Sequence, residues 1–299
     1  MTNARRREVA VGLIVDDDGQ LLLQHRDADP SITGAGLWGF FGGHLEPGEA
    51  PSRAFVREMA EELGWQPRHF EHYLTTDAPP LPGDKDYGRG NVSHVFAAHL
   101  DLPFDQLTLG EGQAMELYAP AQLPVAIVPG LVPVIEEFAR SRTYGRVRRA
   151  WDIISTTALL VDARGRFLLQ LRDDKPDIEN PGRWGSFGGQ AESRETPEEG
   201  FQREMEEELG WRPRTYALYD AVPYRTLREG DTRRQLIYIY AAAVDVPVDS
   251  LVLGEGQAMA FFAPDELPEN IVPALRGLIE CFSGAQMYRE MMERATAGR

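Results

Sequence analysis

Cysteine is all but missing: Cys281 is the only one, so no intramolecular disulfide can form. Its surroundings are an apolar stretch that reads as a helix, which fits a reducing compartment and makes the cytoplasm the expected location. Long apolar runs are missing too. Nothing approaches the roughly 18 residues a membrane span needs, and the three arginines of residues 1–8 are followed by no uninterrupted apolar core, so neither a membrane segment nor a secretion signal is expected. Positive charge is in short supply: 31 Lys plus Arg stand against 47 Asp plus Glu, a formal charge of −16. A long polyanion such as DNA or mRNA would be repelled, whereas a small metal-complexed anion would not. What remains, 42% hydrophobic and 26% charged residues, describes an ordinary globular protein and excludes disordered, fibrous and disulfide-stapled classes.

The 299 residues fill either one large fold or two small ones, and an internal repeat decides between them. LIVDDDGQLLLQHRD at 13–27 returns as LLVDARGRFLLQLRD at 159–173, a shift of 146, and LTLGEGQAM at 107–115 returns as LVLGEGQAM at 251–259, a shift of 144. Such a period far exceeds the roughly 20–50 residues of solenoid repeats, so each copy is expected to be a domain with its own core. The seam falls in the basic stretch at 141–150, near Gly145, giving domains 1–145 and 146–299. Net charges are −10 and −6 for the two halves.

In the first copy, residues 8–15 and 20–26 read as strands around an Asp-Asp-Gly turn. Residues 51–63 show helical spacing, with Pro just inside the start and Gly64 just past the end. Two further strands, 92–100 and 114–118, and a closing helix, 131–140, complete a mixed α/β or α+β pattern that the second copy repeats.

Chemistry concentrates on one helix per copy. Glu58, Glu61 and Glu62 stand at i, i+3 and i+4, so their carboxylates share a face, and Glu204, Glu207 and Glu208 do the same. Like charges at that spacing need a counter-charge or a solvated face. A hard divalent cation supplies the first, and oxygen ligands without histidine or thiol suit Mg2+ or Mn2+ better than Zn2+. A salt-bridged surface helix supplies the second. The pairs Gly42-Gly43 and Gly188-Gly189 would let a backbone carbonyl approach the same ion.

Both stretches resemble the Nudix box: Gly, five residues, Glu, seven residues, then Arg-Glu-hydrophobic-x-Glu-Glu-x-Gly-hydrophobic. The fixed positions are Gly43, Glu49, Arg57, Glu58, Glu61, Glu62 and Gly64, and then Gly189, Glu195, Arg203, Glu204, Glu207, Glu208 and Gly210. Two complete matches at the repeat shift identify a tandem duplication of that family. The resemblance implies two Nudix-fold domains, each a mixed β-sheet sandwiched between helices. It implies hydrolysis of a nucleoside diphosphate linked to another group, by water attack on a phosphorus, with Mg2+ or Mn2+ held by Gly43, Glu58, Glu61 and Glu62 and by Gly189, Glu204, Glu207 and Glu208. One carboxylate would serve as general base. Arg57 and Arg203 would pair with Glu49 and Glu195 and fix helix against loop.

The surroundings of the boxes differ. The first has Glu46-Pro47-Gly48-Glu49, the second Glu192-Ser193-Arg194-Glu195, without the turn former. Phe41 and Phe187 stand where many relatives have Pro. Trp38 and Trp184 are read as core residues, with stacking on a base as the alternative. Glu111 and Glu255, in the repeated GEGQAM, are candidates for a further catalytic carboxylate; the alternative is a turn residue between glycines. Gln113 and Gln257 would contact either base or backbone. Arg225, Arg228, Arg233 and Arg234, beside Tyr224, could bind anionic substrate, where the first copy has only Lys85 and Arg89 with Tyr87; a solvated hairpin is the plainer reading. The six histidines, His44 and His94 among them, follow no ligand spacing.

The expected function is a Mg2+-dependent pyrophosphohydrolase acting on an NDP-sugar, ADP-ribose or a modified nucleoside triphosphate. The alternatives are a nucleotide-binding regulatory module, or one catalytic and one sensing copy. The expected partner is a small nucleotide, with no nucleic acid and no membrane, and the domains are expected to pack as a pseudo-twofold pair.

Overall fold

In a computed structural model of the chain, residues 7–32, 34–77, 92–225 and 230–297 are described. They form two compact units, one comprising Met1–Ala150 with Ser193–Thr196, the other Trp151–Glu192 with Pro197–Arg299.

The first unit runs β1 (Glu8–Val15), β2 (Leu21–His25), β3 (Trp38–Gly39), β4 (Phe41–His44), α1 (Pro51–Leu63), β5 (Phe70–Asp77), β6 (Val92–His99), β7 (Ala114–Tyr118), α2 (Leu131–Ala139) and α3 (Arg142–Val147). Its sheet is mixed, in the order β3-β2-β1-β6-β5, with β4 added on β1 and β7 on β2. β1 and β6 are parallel over their whole length, whereas β1 and β2 pair only at Ile14↔Leu22 and Val15↔Leu21. Beyond that point the two strands diverge and β4 takes β2's place beside β1, with Val11 opposite Gly42 and Ala10 opposite Gly43. The split places two glycines in the middle of the sheet.

β1 is apolar on both faces because both faces are covered. Ala10 and Ile14 pack with Phe55, Met59 and Leu63 of α1, which recur at helical spacing. Leu13 and Val15 point the other way, to Ile135 and Phe138 of α2 and Val147 of α3. α1 stops at Gly64, which is left-handed at φ 61° and donates to Ala60 O while Trp65 donates to Met59 O.

The second unit repeats this plan as β8 (Ile153–Val161), β9 (Phe167–Leu171), β10 (Trp184–Gly185), α4 (Pro197–Leu209), β11 (Tyr216–Tyr224), β12 (Gln235–Ala243), β13 (Ala258–Phe262), α5 (Pro273–Ser283) and α6 (Gln286–Ala297), except that the segment matching β4 makes only an isolated bridge, Ser155 to Gln190, beside β8. Its order is β10-β9-β8-β12-β11 with β13 on β9, and β8 and β12 are parallel. Each unit is thus a mixed sheet between helices, the fold class expected. Among the described residues no helix is long and apolar enough to cross a membrane.

Gly145, the expected seam, lies within α3, and the basic stretch around it is folded rather than extended. Arg146 donates to both carboxylate oxygens of Glu71, at 3.0 and 2.7 Å, in a pair whose side chains are 13% and 7% exposed. Tyr144 Oη donates to Gly19 O across the β1–β2 turn. In the second unit Tyr288 Oη repeats that bond to Gly165 O. The positions of Glu71 and Arg146 are there filled by Ala217 and Glu290, and the longer α6 is held instead through buried Met291 and Ala295. Removing one partner of a buried pair strands a charge. Arg146→Ala is therefore expected to destabilise the first unit by roughly 3 kcal/mol, and Glu71→Ala added to Arg146→Met to restore most of it, read as urea midpoints.

Candidate active site

The carboxylates of α1 are sorted by their position around the helix. Glu62 turns inward and is 5% exposed, Glu58 sits at the margin, and Glu61 is exposed. A buried carboxylate needs donors. Glu62 Oε2 accepts from the Gly42 N–H at 2.7 Å, and Oε1 lies 3.5 Å from Gln24 Nε2 on β2. Burial pushes its pKa up to about 7 against the pull of the Gly42 bond, and the charges of Glu58 and Glu111 add to the rise. Gly42 can aim its N–H this way because its φ is 130° and its backbone lies on Ala10 O, where a Cβ would collide. Gly43 is pressed against Glu58: a Cβ there would stand 2.5 Å from Oε1. Burial also raises the Glu58 carboxyl, although Arg57 beside it acts in the opposite sense.

Arg57 ties the box together. Its Nε and Nη2 donate to the two oxygens of Glu49, each at 3.0 Å, and Nη2 also reaches His44 O. Its Nη1 donates to Glu58 at 2.8 Å and Glu61 at 3.0 Å. The bond to Arg57 holds the Glu49 carboxyl below its usual range.

The GEGQAM loop is fastened at both ends. Thr108 N–H donates to Leu63 O and Gly110 N–H to Glu62 O, at 3.0 and 2.7 Å, on the last turn of α1. Gln113 N–H donates to His25 O at 2.7 Å, and its Nε2 to Arg26 O at 2.8 Å. Gln24 Nε2 bonds Glu111 O at 3.1 Å. Glu111 is thereby held close enough for its charge to be felt by Glu58 and Glu62. Gln113 contacts backbone, the second of its two expected partners.

The second unit reproduces this construction, except that Gln170 Nε2 donates to Ser186 O at 3.1 Å where Gln24 Nε2 bonds Glu111 O. Gly188 N–H donates to Glu208 Oε2 at 2.7 Å, Gln170 Nε2 lies 3.5 Å from Oε1, and burial lifts Glu208 to about 7, with Glu204 and Glu255 contributing. A Cβ at Gly189 would meet Glu204 Oε1 at 2.6 Å. Arg203 Nη1 donates to Glu204 and Glu207, and Nη2 to Gln190 O. Glu195 stands in the loop before α4. Gly254 N–H donates to Glu208 O, and Gln257 bonds Leu171 O and Arg172 O.

The remaining candidates have contacts of their own. Arg233 donates to Asp231, and the Arg234 N–H to Asp152. Arg225 follows the end of β11, and Arg228, like Lys85, Tyr87 and Arg89, falls outside the described residues. Trp38 packs at the edge of the α2 cluster, with His25 stacked on it at 4.8 Å and Tyr118 edge-on at 5.2 Å. Trp184 meets Phe262 edge-on. Phe41 and Phe187 are fully buried. His94 bonds Glu8 and Thr75 on the sheet surface. Sequence reasoning missed Gln24 and Gln170. Their signal was there: each is the one amide in its strand and follows an apolar triplet, at the same place in both copies.

As they stand, no three Asp, Glu, His or Cys side chains among the described residues form a ready cluster for a metal ion. The Arg57 and Arg203 guanidiniums bond two of the three box carboxylates in each site. The donor set nevertheless suits a hard divalent cation. Its side chains are all carboxylates, two of them carry raised pKa values, and a glycine backbone lies flush against one.

A NUDIX domain family model matches residues 5–138 and 152–282. A CTP pyrophosphohydrolase of Escherichia coli is 32% identical over 133 residues, 44% of this chain and 91% of that protein. An 8-oxo-dGTP diphosphatase of the same species is 38% identical over 66 residues, 22% of this chain and half of that protein. Among solved structures, a MutT Nudix hydrolase from Burkholderia pseudomallei is 27% identical, with 43% of this chain and 95% of that one covered at a TM-score of 0.37. The chain belongs to the Nudix family, and carries its domain twice. It is a hydrolase acting on phosphoric anhydride bonds.

Glu62 and Glu208 fix a pH dependence. A carboxyl raised from 4.5 toward 7 by folding keeps its proton in the folded state where the unfolded chain has lost it, so stability falls as pH rises through that window. In EDTA the unfolding midpoint is expected to drop between pH 5 and pH 8, and Glu62→Gln with Glu208→Gln to flatten that slope. A wild-type slope retained by the double variant would contradict the assignment.

Proposed function

We propose that both domains are Mg2+-dependent pyrophosphohydrolases of small nucleotides, with Mn2+ as a substitute. The observation that carries this is the duplicated site: in each unit a helix brings three glutamates to a glycine-lined split in the sheet, and a fastened loop adds a fourth. Gly43, Glu58, Glu61 and Glu62 would hold the cation in the first domain, and Gly189, Glu204, Glu207 and Glu208 in the second. When bound, the cation neutralises phosphate charge and makes coordinated water more acidic.

The chain's own groups do the rest. Arg57, anchored by Glu49, keeps the box helix in register with the loop before it. Water attacks one phosphorus, the bond from that phosphorus to the bridging oxygen breaks, and a carboxylate takes the water's proton. Glu111 and Glu255, exposed and set on loops, are assigned that role, while the buried Glu62 and Glu208 bind and orient. For a nucleoside triphosphate the products are the monophosphate and pyrophosphate. The likeness to a CTP pyrophosphohydrolase over nine-tenths of that protein supports a nucleoside triphosphate as one substrate.

Glu62→Gln and Glu208→Gln are each expected to remove one domain's turnover from a panel of nucleoside triphosphates, NDP-sugars and ADP-ribose with Mg2+, and the double variant to remove all of it. Glu111→Gln in the Glu208→Gln background is expected to lower kcat about 100-fold with the Mg2+ requirement unchanged. Nucleotide binding without turnover on the whole panel would overturn the enzymatic reading in favour of a sensing module.

A further inference from the structure

The two sites share their carboxylates but not the surface beside them. On the face of β1 turned away from α1, Val11 lies directly opposite Gly42, with Val9 next along. Both valines are half-buried; Val11 and Leu74 lie at the edge of the α2 cluster, to which the buried Phe40 belongs. This wall is apolar. The matching wall in the second unit, shifted by 146 residues along the same strands, carries Ser155, Thr157 and Ser186, all half-buried. Gly188 lies against the backbone of Thr157 as Gly42 lies against Val11. Thr157 Oγ1 and Ser186 Oγ bond at 2.5 Å, and Gln235 Nε2 on the neighbouring β12 donates to Ser155 Oγ at 2.8 Å.

Each wall adjoins the glycine whose N–H serves the buried glutamate, within reach of a group attached to a pyrophosphate held at that glutamate. The difference has a chemical consequence. Two hydroxyls bonded to each other consume one proton, which leaves one O–H and several lone pairs for a third partner, and Gln235 keeps its carbonyl oxygen. Covering those groups with a flat apolar ring would strand them, whereas sugar hydroxyls would pair with them. The apolar wall of the first unit has the opposite preference.

Taking both domains as hydrolases, the reading proposed above, we infer that they act on different nucleotide classes. The first takes a nucleoside triphosphate, its base against Val9, Val11 and Phe40. The second takes a nucleoside diphosphate sugar, its hydroxyls bonded to Ser155, Thr157 and Ser186.

The test uses the full chain with one site silenced at a time. With CTP and UDP-glucose as probes, the ratio of kcat/KM for UDP-glucose to that for CTP is expected to be at least tenfold higher in Glu62→Gln, where only the second domain works, than in Glu208→Gln. Thr157→Val with Ser186→Ala, added to Glu62→Gln, is expected to cut kcat/KM for UDP-glucose about tenfold, mostly through KM, and to leave CTP within about twofold, the scale of one or two neutral hydrogen bonds. Valine already occupies the equivalent of Thr157 in the first domain, so the fold has room for it. Equal ratios in the two single-site proteins, or equal losses on both substrates from the wall variant, would overturn the inference and leave the hydrolase reading intact. Silence of both single-site proteins on both probes, with wild type silent as well, would overturn that reading and the inference with it.

Discussion

A carboxylate removed from water costs several kcal/mol unless something donates to it, and in each domain the donor is one glycine N–H beside the central strand. Gly42 N–H reaches Glu62, and Gly188 N–H reaches Glu208, each at 2.7 Å. Much of the architecture serves that bond. The N–H must be free of the ladder, so in the first domain β1 and β2 part early and β4, which carries Gly42, fills the gap. The donor must turn toward the helix, which demands a φ of 130° and 128° and therefore glycine. The same glutamate is also held by its backbone, since Gly110 and Gly254 donate to Glu62 O and Glu208 O. Helix, strand and loop thus meet on a single residue, and its side chain has little freedom to leave.

That constraint explains how so acidic a helix persists. Glu58, Glu61 and Glu62 repel one another, as do Glu204, Glu207 and Glu208. Arg57 and Arg203 offset part of the repulsion by standing between the outer two carboxylates, while Gln24 and Gln170 approach the inner one without adding charge. An amide at that place is informative. A lysine or arginine there would neutralise Glu62, and an apolar residue would leave the inner carboxylate with one donor fewer. The arrangement is stable enough to fold and remains short of positive charge.

Much of this could be read from residue order because it depends on local spacing. Helix α1 begins at Pro51 and ends at Leu63 as the Pro and Gly64 signals require, and the i, i+3, i+4 carboxylates share a face because helical geometry allows nothing else. The repeat itself revealed two domains. What spacing could not supply was long-range pairing. Residues 70–77 form β5 although Glu71, His72, Thr75, Thr76 and Asp77 give them a polar look, since Glu71 is neutralised by Arg146 about seventy positions away. The stretch around Gly145 looks like a linker for the same reason: its arginine has no visible partner until the chain is folded. The arginines of the second hairpin also have long-range or acidic partners that spacing does not reveal. They form a cluster in sequence, yet Arg233 and Arg234 bond Asp231 and Asp152, acids that a motif search has no reason to consider.

Comparing the two copies within one chain separates what the chemistry requires from what it leaves open. Carboxylates, both glycines before the helix, the strand glutamine and the fastened loop are the same in kind and nearly the same in distance. Each of these is held by contacts to another member of the set, so replacing one disturbs several. The surfaces a few ångströms away obey no such rule. Glu71 and Arg146 are exchanged for Ala217 and Glu290, which removes a buried ion pair whole rather than stranding half of it. Val11 and Phe40 are exchanged for Thr157 and Ser186, whose hydroxyls bond each other. Both changes come in pairs because a lone buried polar group is penalised wherever it appears. The mutual bond of Thr157 and Ser186 gives each hydroxyl a partner beside Gly188, so two like sets of carboxylates stand next to two unlike walls.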